Sequence, residues 1–125
     1  MADLRNIEKD TVKNSNYRHV VYTNKNFQLV LMSLKPGETI PRETHEKTTQ
    51  FIRVEKGSGK AIVGGKEYKL KEHFSLTIPP GLEHFIINEG GTEKSSKEDL
   101  RFYTIYTPPE HRPKRLNKRQ PKTST

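Results

Sequence analysis

The chain has 125 residues, no cysteine and a formal net charge of +8. This length fits one domain, and the lack of cysteine excludes disulfides, zinc–thiolate sites and thiol nucleophiles. The N-terminus is polar, without an apolar leader segment, and no apolar run approaches the ~20 residues that span a bilayer. We therefore expect a soluble, cytoplasmic protein that makes no membrane contact.

The positive charge is concentrated at the C-terminus. Residues 111–125 contain six lysines and arginines, two prolines and no acidic residue, so residues 1–110 carry a net charge of only +2. This composition is typical of a disordered segment. We predict three parts: an N-terminal segment over 1–19, either a frayed end or a docking strand, a folded domain over 20–110 and a basic, disordered tail over 111–125.

Strand signals follow one another along the middle of the chain. Each is an apolar or alternating run that ends at glycine, proline or polar turn residues. They cover residues 20–22, 27–34, 50–55, 60–63, 66–70, 74–78, 84–88 and 100–106, with a polar loop over 92–99. Gly64 and Gly65 predict a tight hairpin turn, and no long segment has the 3.6-residue period of a helix. The pattern predicts an all-β sandwich or barrel.

Four polar side chains in these strands or in the segment between residues 34 and 50 are candidate metal ligands. Glu43 and His45 are two residues apart, so the period of a strand places both on one face. Gln50 opens the next alternating run, and His84 follows a Pro-Pro-Gly turn. Imidazole, carboxylate and amide donors together suit Mn, Fe, Co, Ni or Zn. The spacing alone equally allows a solvated polar turn at Glu43 and His45 and an ordinary barrel histidine at His84.

The first half of the domain resembles the first signature motif of the cupin superfamily. The motif begins at Gly37, reaches Glu43 and His45 after five intervening residues, continues to Gln50 and ends at Gly57. Every spacing fits the family pattern. Two positions depart from it, because Glu43 stands where the family has its first histidine and Gln50 stands where it has a glutamate.

The second signature motif follows at the expected distance. Pro79, Gly81, His84 and Asn88 match it in register, while His73 replaces its leading glycine. The resemblance covers roughly residues 27 to 107. It implies a double-stranded β-helix, the jelly-roll barrel of the cupins, with a metal ion bound inside by the residues at the motif positions.

Carried over by position, the resemblance implies that a divalent metal ion (Zn, Mn, Fe or Ni) is bound by Glu43, His45, Gln50 and His84. The set also resembles that of small bacterial cupins described as mannose-6-phosphate isomerase-like. This implies a metal-dependent isomerase acting on a small polar substrate such as a sugar phosphate, with the metal polarising a carbonyl or hydroxyl. Glu43 would act as general base if it is not a ligand. Family members commonly pair through edge strands, so we expect a homodimer.

Two other functions stay open at this point. The changed ligand positions also fit a non-catalytic module that binds a small molecule in the same pocket. The tail residues could bind nucleic acid or another polyanion, although a solvated tail is the simpler expectation. For the remaining histidines, we expect His73 to lie at an exposed turn and His111 to lie on the surface, with the pocket mouth as its alternative position.

Overall fold

The computed structural model of the chain describes residues 1–89 and 98–122. Most of the expected polar loop over 92–99 lies outside these residues. Within them no helix is long and apolar enough to cross a membrane. The elements, in chain order, are α1 (Ile7–Lys13), β1 (Arg18–Asn24), β2 (Phe27–Leu34), β3 (Thr39–Glu43), β4 (Thr49–Lys56), β5 (Gly59–Val63), β6 (Lys66–Leu70), β7 (Ser75–Ile78), β8 (His84–Ile87), β9 (Leu100–Thr107) and β10 (Leu116–Asn117).

The strands form two antiparallel sheets. One sheet has the order β10-β1-β2-β9-β4-β7 and the other the order β3-β8-β5-β6. Alternate residues of each strand point between the sheets, so Gln50, Ile52 and Val54 of β4 are all fully buried, as their period of two predicts. Ile52 and Val54 belong to a hydrophobic core that draws on both sheets. The predicted all-β class is confirmed.

The N-terminal segment forms a helix where a docking strand was one of our expectations. Asn6 caps α1, because its side-chain oxygen accepts a hydrogen bond of 3.0 Å from the backbone N–H of Lys9, a standard helix start. The helix packs on the outer face of the larger sheet, against β2, β4 and β9. With seven residues it is too short for a helical period to stand out in the sequence.

The basic tail also differs from its expected disorder over the part that the structure describes, residues 111–122. Strand β10 pairs with β1, and the side chain of Gln120 bonds both the N–H and the hydroxyl of Thr39, at 2.7 and 3.0 Å. The tail is therefore attached to both sheets. Amino-acid composition does not predict these contacts, because many of their hydrogen bonds involve backbone groups, which every residue carries. The division of the chain into three parts stays a prediction.

A bulge in β3 sets the geometry of the candidate site. Ile40 pairs with Ile86, but the next pair along the strands is Glu43 with His84, so β3 contains one extra residue. Because a bulge re-aims the side chains that follow it, Glu43 is brought beside His84 instead of continuing the alternation that began at Ile40.

Candidate metal centre

Three of the four predicted ligands meet between the two sheets. The ligand atoms of Glu43, His45 and His84 all lie within 4.8 Å of one another. Glu43 Oε1 is 3.3 Å from His45 Nε2 and 3.6 Å from His84 Nε2, and the centres of the two imidazole rings are 5.0 Å apart. The side chain of His84 is 1% exposed and that of His45 is 10% exposed, so this is an interior cluster and not a solvated turn.

Both imidazoles direct the same nitrogen at the carboxylate. His84 Nδ1 lies 3.1 Å from the carbonyl oxygen of Leu82, which can only accept, so Nδ1 carries the proton of the neutral ring. His45 Nδ1 faces Glu110 Oε2 at 3.4 Å in the same way. Both Nε2 atoms are buried and have no hydrogen-bond partner among the described residues. Two unpartnered ring nitrogens beside a carboxylate, each with its other nitrogen engaged, fit the ligands of a divalent cation.

The charges of the cluster agree with this chemistry. Burial acts to raise the pKa of Glu43, but His45 and His84, when their rings are protonated and donate to the carboxylate, outweigh it and lower that pKa to about 2. Burial acts to lower the pKa of His45, and Glu43 with Glu110 reverses this and raises it. A proton and a metal ion therefore compete for His45 Nε2, because only the neutral ring is a ligand.

Gln50, the fourth predicted ligand, lies in the interior with its amide orientation fixed. Its Nε2 donates to Thr104 Oγ1 at 3.1 Å and to the hydroxyl of Tyr106 at 3.3 Å. Its Oε1 is buried and has no hydrogen-bond partner in residues 1–89 and 98–122. The free oxygen suits a neutral ligand, and the role of Gln50 at the metal stays a prediction.

The residues that border the cluster include two that sequence reasoning placed elsewhere or missed. Gln28, fully buried in β2, accepts from the backbone N–H groups of Glu110 and His111 at 3.1 and 2.9 Å and donates to the His111 carbonyl at 2.6 Å. The ring of His111 thereby lies 5.2 Å from that of Tyr106, which is 5.7 Å from the ring of His45. The expected surface position of His111 is wrong. The sequence does not show that Gln28 binds this segment.

Two arginines stand close together on the same side of the barrel. Arg18, 5% exposed, and Arg115 both donate to Asn117 Oδ1, at 2.9 and 3.2 Å. Arg115 Nη1 also lies 3.5 Å from His111 Nδ1. Among the ion pairs of the described residues none includes Arg18 or Arg115. A buried guanidinium without a carboxylate partner is costly, so this pair is suited to an anion.

His111 responds to these charges. Burial first, and then the positive charges of Arg18 and Arg115, lower the pKa of His111 to about 4. The ring is therefore neutral at neutral pH. Because arginine can only donate, Nδ1 accepts from Arg115 and the proton resides on Nε2. Within the part of the chain that the structure describes, this buried nitrogen has no hydrogen-bond partner.

Comparisons with known proteins agree with this geometry. Residues 30–106 match the Cupin_2 family model, described as "Cupin domain". The uncharacterized protein L612 of Acanthamoeba polyphaga mimivirus is 42% identical over 121 residues, which are 94% of this chain and 72% of that protein. The crystal structure of BH2720 from Bacillus halodurans superposes with a TM-score of 0.87 at 30% identity, covering 95% of this chain and 90% of that one. The predicted double-stranded β-helix is confirmed.

A shorter match covers part of the chain. The mannose-1-phosphate guanylyltransferase of Escherichia coli is 31% identical over 71 residues, which are 57% of this chain but only 15% of that enzyme. The match therefore concerns a small part of the guanylyltransferase.

Proposed function

Because the chain belongs to the Cupin_2 family, we propose that it is a divalent-metal-dependent enzyme that acts on a small polar substrate with an anionic group. A sugar phosphate is our first choice. The observation that carries the proposal is the interior cluster of Glu43, His45 and His84, whose ligand atoms lie within 4.8 Å of one another. Three protein ligands leave coordination positions for a substrate oxygen, as catalytic metal sites require.

Glu43, His45 and His84 would hold the cation, with Gln50 Oε1 as the neutral fourth donor. Zn, Mn, Fe and Ni are all compatible with such a mixed set, and any of them would polarise a carbonyl or hydroxyl oxygen of the substrate. Glu110 holds the ring of His45 through Nδ1 and fixes the direction of its Nε2. We assign Glu43 to the ligands and not to general-base catalysis, because a pKa of about 2 makes a weak base at neutral pH.

The arginine pair is the reason for proposing a negatively charged substrate. Arg18 and Arg115 share one acceptor and lack a carboxylate partner among the described residues, and paired guanidinium groups bind phosphate or carboxylate through several charge-assisted hydrogen bonds. His111 contacts Arg115 through Nδ1 and Tyr106 through its ring, and Tyr106 contacts His45. His111 and Tyr106 would therefore lie between an anion at the arginines and the metal ligands.

His111 supplies a proton donor between these two regions. Its neutral ring carries a proton on Nε2, which has no partner within the described protein. A neutral imidazole can donate a hydrogen bond to a substrate oxygen without adding a positive charge beside the metal. The partial match to a mannose-1-phosphate guanylyltransferase supports a sugar phosphate as the substrate class. This support is limited, because the match covers only 15% of that enzyme.

A non-catalytic small-molecule-binding module is the second candidate. It is favoured by Gln50, which provides an uncharged amide where the family motif has a carboxylate. Such a protein would use the same metal and the same arginines to hold an anionic ligand without converting it. The pairing of two copies and a cytoplasmic location also stay proposals.

The test combines binding and turnover in one sample. Protein stripped with a chelator and reloaded with Zn, Mn, Fe or Ni is incubated with mannose 6-phosphate or fructose 6-phosphate, and aldose–ketose conversion is followed by proton NMR. Calorimetry of the same sugar phosphates, with mannose as the uncharged control, measures binding. We expect conversion only in the reloaded protein.

The variants separate the two candidates. Arg18→Gln should weaken sugar-phosphate binding by at least about tenfold, since a charge-assisted hydrogen bond is worth roughly 1.5–3 kcal/mol, whereas Arg53→Gln on the outer face should not. Metal-dependent binding without conversion would favour the non-catalytic module. If no sugar phosphate binds to the reloaded protein, the proposed substrate class is wrong.

A further inference from the structure

A second group of metal-type ligands lies on the outside of the barrel. It consists of Glu8 from α1, Glu55 from β4 and His73 from the turn between β6 and β7, and their ligand atoms all lie within 4.8 Å of one another. Glu8 and His73 are exposed, while Glu55 is buried. The three residues come from separate parts of the sequence, so only the packing of α1 on the sheet brings them together.

The buried carboxylate is the first observation that points to a ligand. The side chain of Glu55 is 4% exposed, and its Oε1 has no hydrogen-bond partner among the residues that the structure describes. Arg53 Nη2 forms an ion pair with this oxygen at 3.8 Å, a distance too long for a hydrogen bond. Glu8 adds a second negative charge within 4.8 Å. Burying a carboxylate beside another carboxylate is unfavourable unless a cation lies close to both.

The turn that carries His73 places the imidazole beside Glu55. His73 has a φ of 73°, in the left-handed region where glycine is free of strain and other residues are uncommon. This position corresponds to the leading glycine of the second signature motif, so the chain carries an imidazole where its own backbone favours glycine. The N–H of His73 bonds the carbonyl of Val54 at 2.7 Å, which holds the turn beside Glu55.

We propose that Glu8, Glu55 and His73 bind a divalent cation of the zinc type, and that this ion fastens helix α1 to the barrel. Two carboxylates and one imidazole form a mixed nitrogen and oxygen set, which suits Zn²⁺ and its neighbours. Mg²⁺ and Ca²⁺ take oxygen ligands and would leave His73 unused. The site is structural, because it lies on the outer face and joins α1 to the barrel, in addition to the hydrogen bond that Arg101 of β9 donates to the Val12 carbonyl oxygen of α1.

The test counts zinc ions and watches the helix. Zinc is titrated calorimetrically, in excess Mg²⁺, into the full-length protein and into the variants Glu8→Gln, His73→Asn and His45→Ala/His84→Ala. Asparagine tolerates the left-handed backbone and lacks the imidazole, so His73→Asn should keep the turn folded. Lys9→Gln, one residue from Glu8 on the exposed side of α1, is the matched control.

The wild-type protein and Lys9→Gln should bind two zinc ions, and each of the other variants only one. Loss of a ligand should weaken the outer site by at least about 100-fold, because removing mere supporting partners already costs 10- to 100-fold. Zinc should also slow amide hydrogen exchange in α1 of the wild type and of His45→Ala/His84→Ala, and leave it unchanged in His73→Asn. Zinc bound at the barrel centre should not change amide hydrogen exchange in α1, so this measurement reports on the outer site alone.

Two results would overturn the proposal. One is a second zinc ion that binds Glu8→Gln and His73→Asn as tightly as the wild type. The other is a wild type that binds one ion, which disappears entirely in His45→Ala/His84→Ala. Either result can occur whether or not the protein is an enzyme, so the failure of this site and the failure of the proposed function are distinguishable.

Discussion

The cluster inside the barrel and the cluster outside it reach a similar donor chemistry by different routes. Of the inner ligands, Glu43 ends β3, His45 follows two residues later and His84 begins β8. Strands β3 and β8 are neighbours in one sheet, so their register fixes the approach of Glu43 to His84. The outer ligands come from a helix, a strand and a turn. A site fixed by register is formed as soon as the sheet is formed, whereas a site that includes a docked helix depends on a weaker contact.

The largest expected effect at the two sites is zinc-dependent stability. With free zinc at 100 times its dissociation constant, each site should add about 2.7 kcal/mol to the free energy of unfolding. Glu43→Ala should abolish the contribution of the inner site, and Glu8→Ala that of the outer site. Urea unfolding with and without zinc measures both.

The double variant sharpens this comparison. If the sites are independent, the losses in Glu43→Ala and Glu8→Ala add within about 0.5 kcal/mol. A large departure from additivity would show that the helix and the barrel centre are coupled, contrary to our account of two separate sites.

The next prediction concerns Gln28, which holds residues 110 and 111 beside the inner site, and its effect on the free energy of unfolding. Gln28→Ala removes three hydrogen bonds to the backbone of residues 110 and 111 and leaves those groups without partners. We expect a loss of roughly 2–4 kcal/mol in the free energy of unfolding, since a buried unsatisfied group costs about 1–3 kcal/mol. The outer site should bind zinc as before. Gln120→Ala, which releases only the end of the tail, is the control and should cost less.

The third prediction concerns pH. The pKa of His111 is lowered from its usual 6.5 to about 4 in the folded protein, so between pH 6.5 and pH 4 the unfolded chain binds the additional proton. Stability is therefore complete above pH 6.5 and decreases as pH falls towards 4. His111→Asn should flatten this part of the profile by roughly 1–3 kcal/mol. An unchanged slope between pH 6.5 and 4.5, with His19→Asn as the reference, would contradict the buried position of His111.

The smallest effect concerns the outer site without zinc. His73→Gly should stabilise the zinc-free protein by about 0.5–1 kcal/mol, because glycine relieves the left-handed backbone at a φ of 73°. The same substitution should remove the zinc-dependent gain of that site. A variant that is less stable than the wild type under both conditions would show that His73 has a packing role instead.

The sequence predicts the barrel faces well because alternation is a local property. Gln50 and His84 are buried with their strands as the period of two requires, and the match to the two signature motifs identifies Glu43, His45 and His84 as candidate ligands. The bulge that turns Glu43 towards His84 has no comparable signal in the sequence.

What the sequence does not predict depends on contacts between distant segments. Gln28 and His111 are 83 residues apart, and the bonds between them involve the backbone of His111, so neither composition nor period reveals them. The tail looks disordered because its charge is high, yet Asn117 and Gln120 dock it on both sheets. The outer site is hidden for the same reason, since α1 is short and its position on the barrel is a tertiary property.

The most direct test of the central claim is metal content. Purified protein is dialysed against a weak chelator and its metals are counted by inductively coupled plasma mass spectrometry, beside His45→Ala/His84→Ala and His73→Asn. The chelator is chosen to strip the outer site, which depends on a docked helix, and not the inner one. We then predict about one metal ion per chain in the wild type and in His73→Asn, held by the inner site, and none in the double variant. Equal metal content in all three proteins, or a wild type that neither retains nor binds metal on titration, would contradict the account.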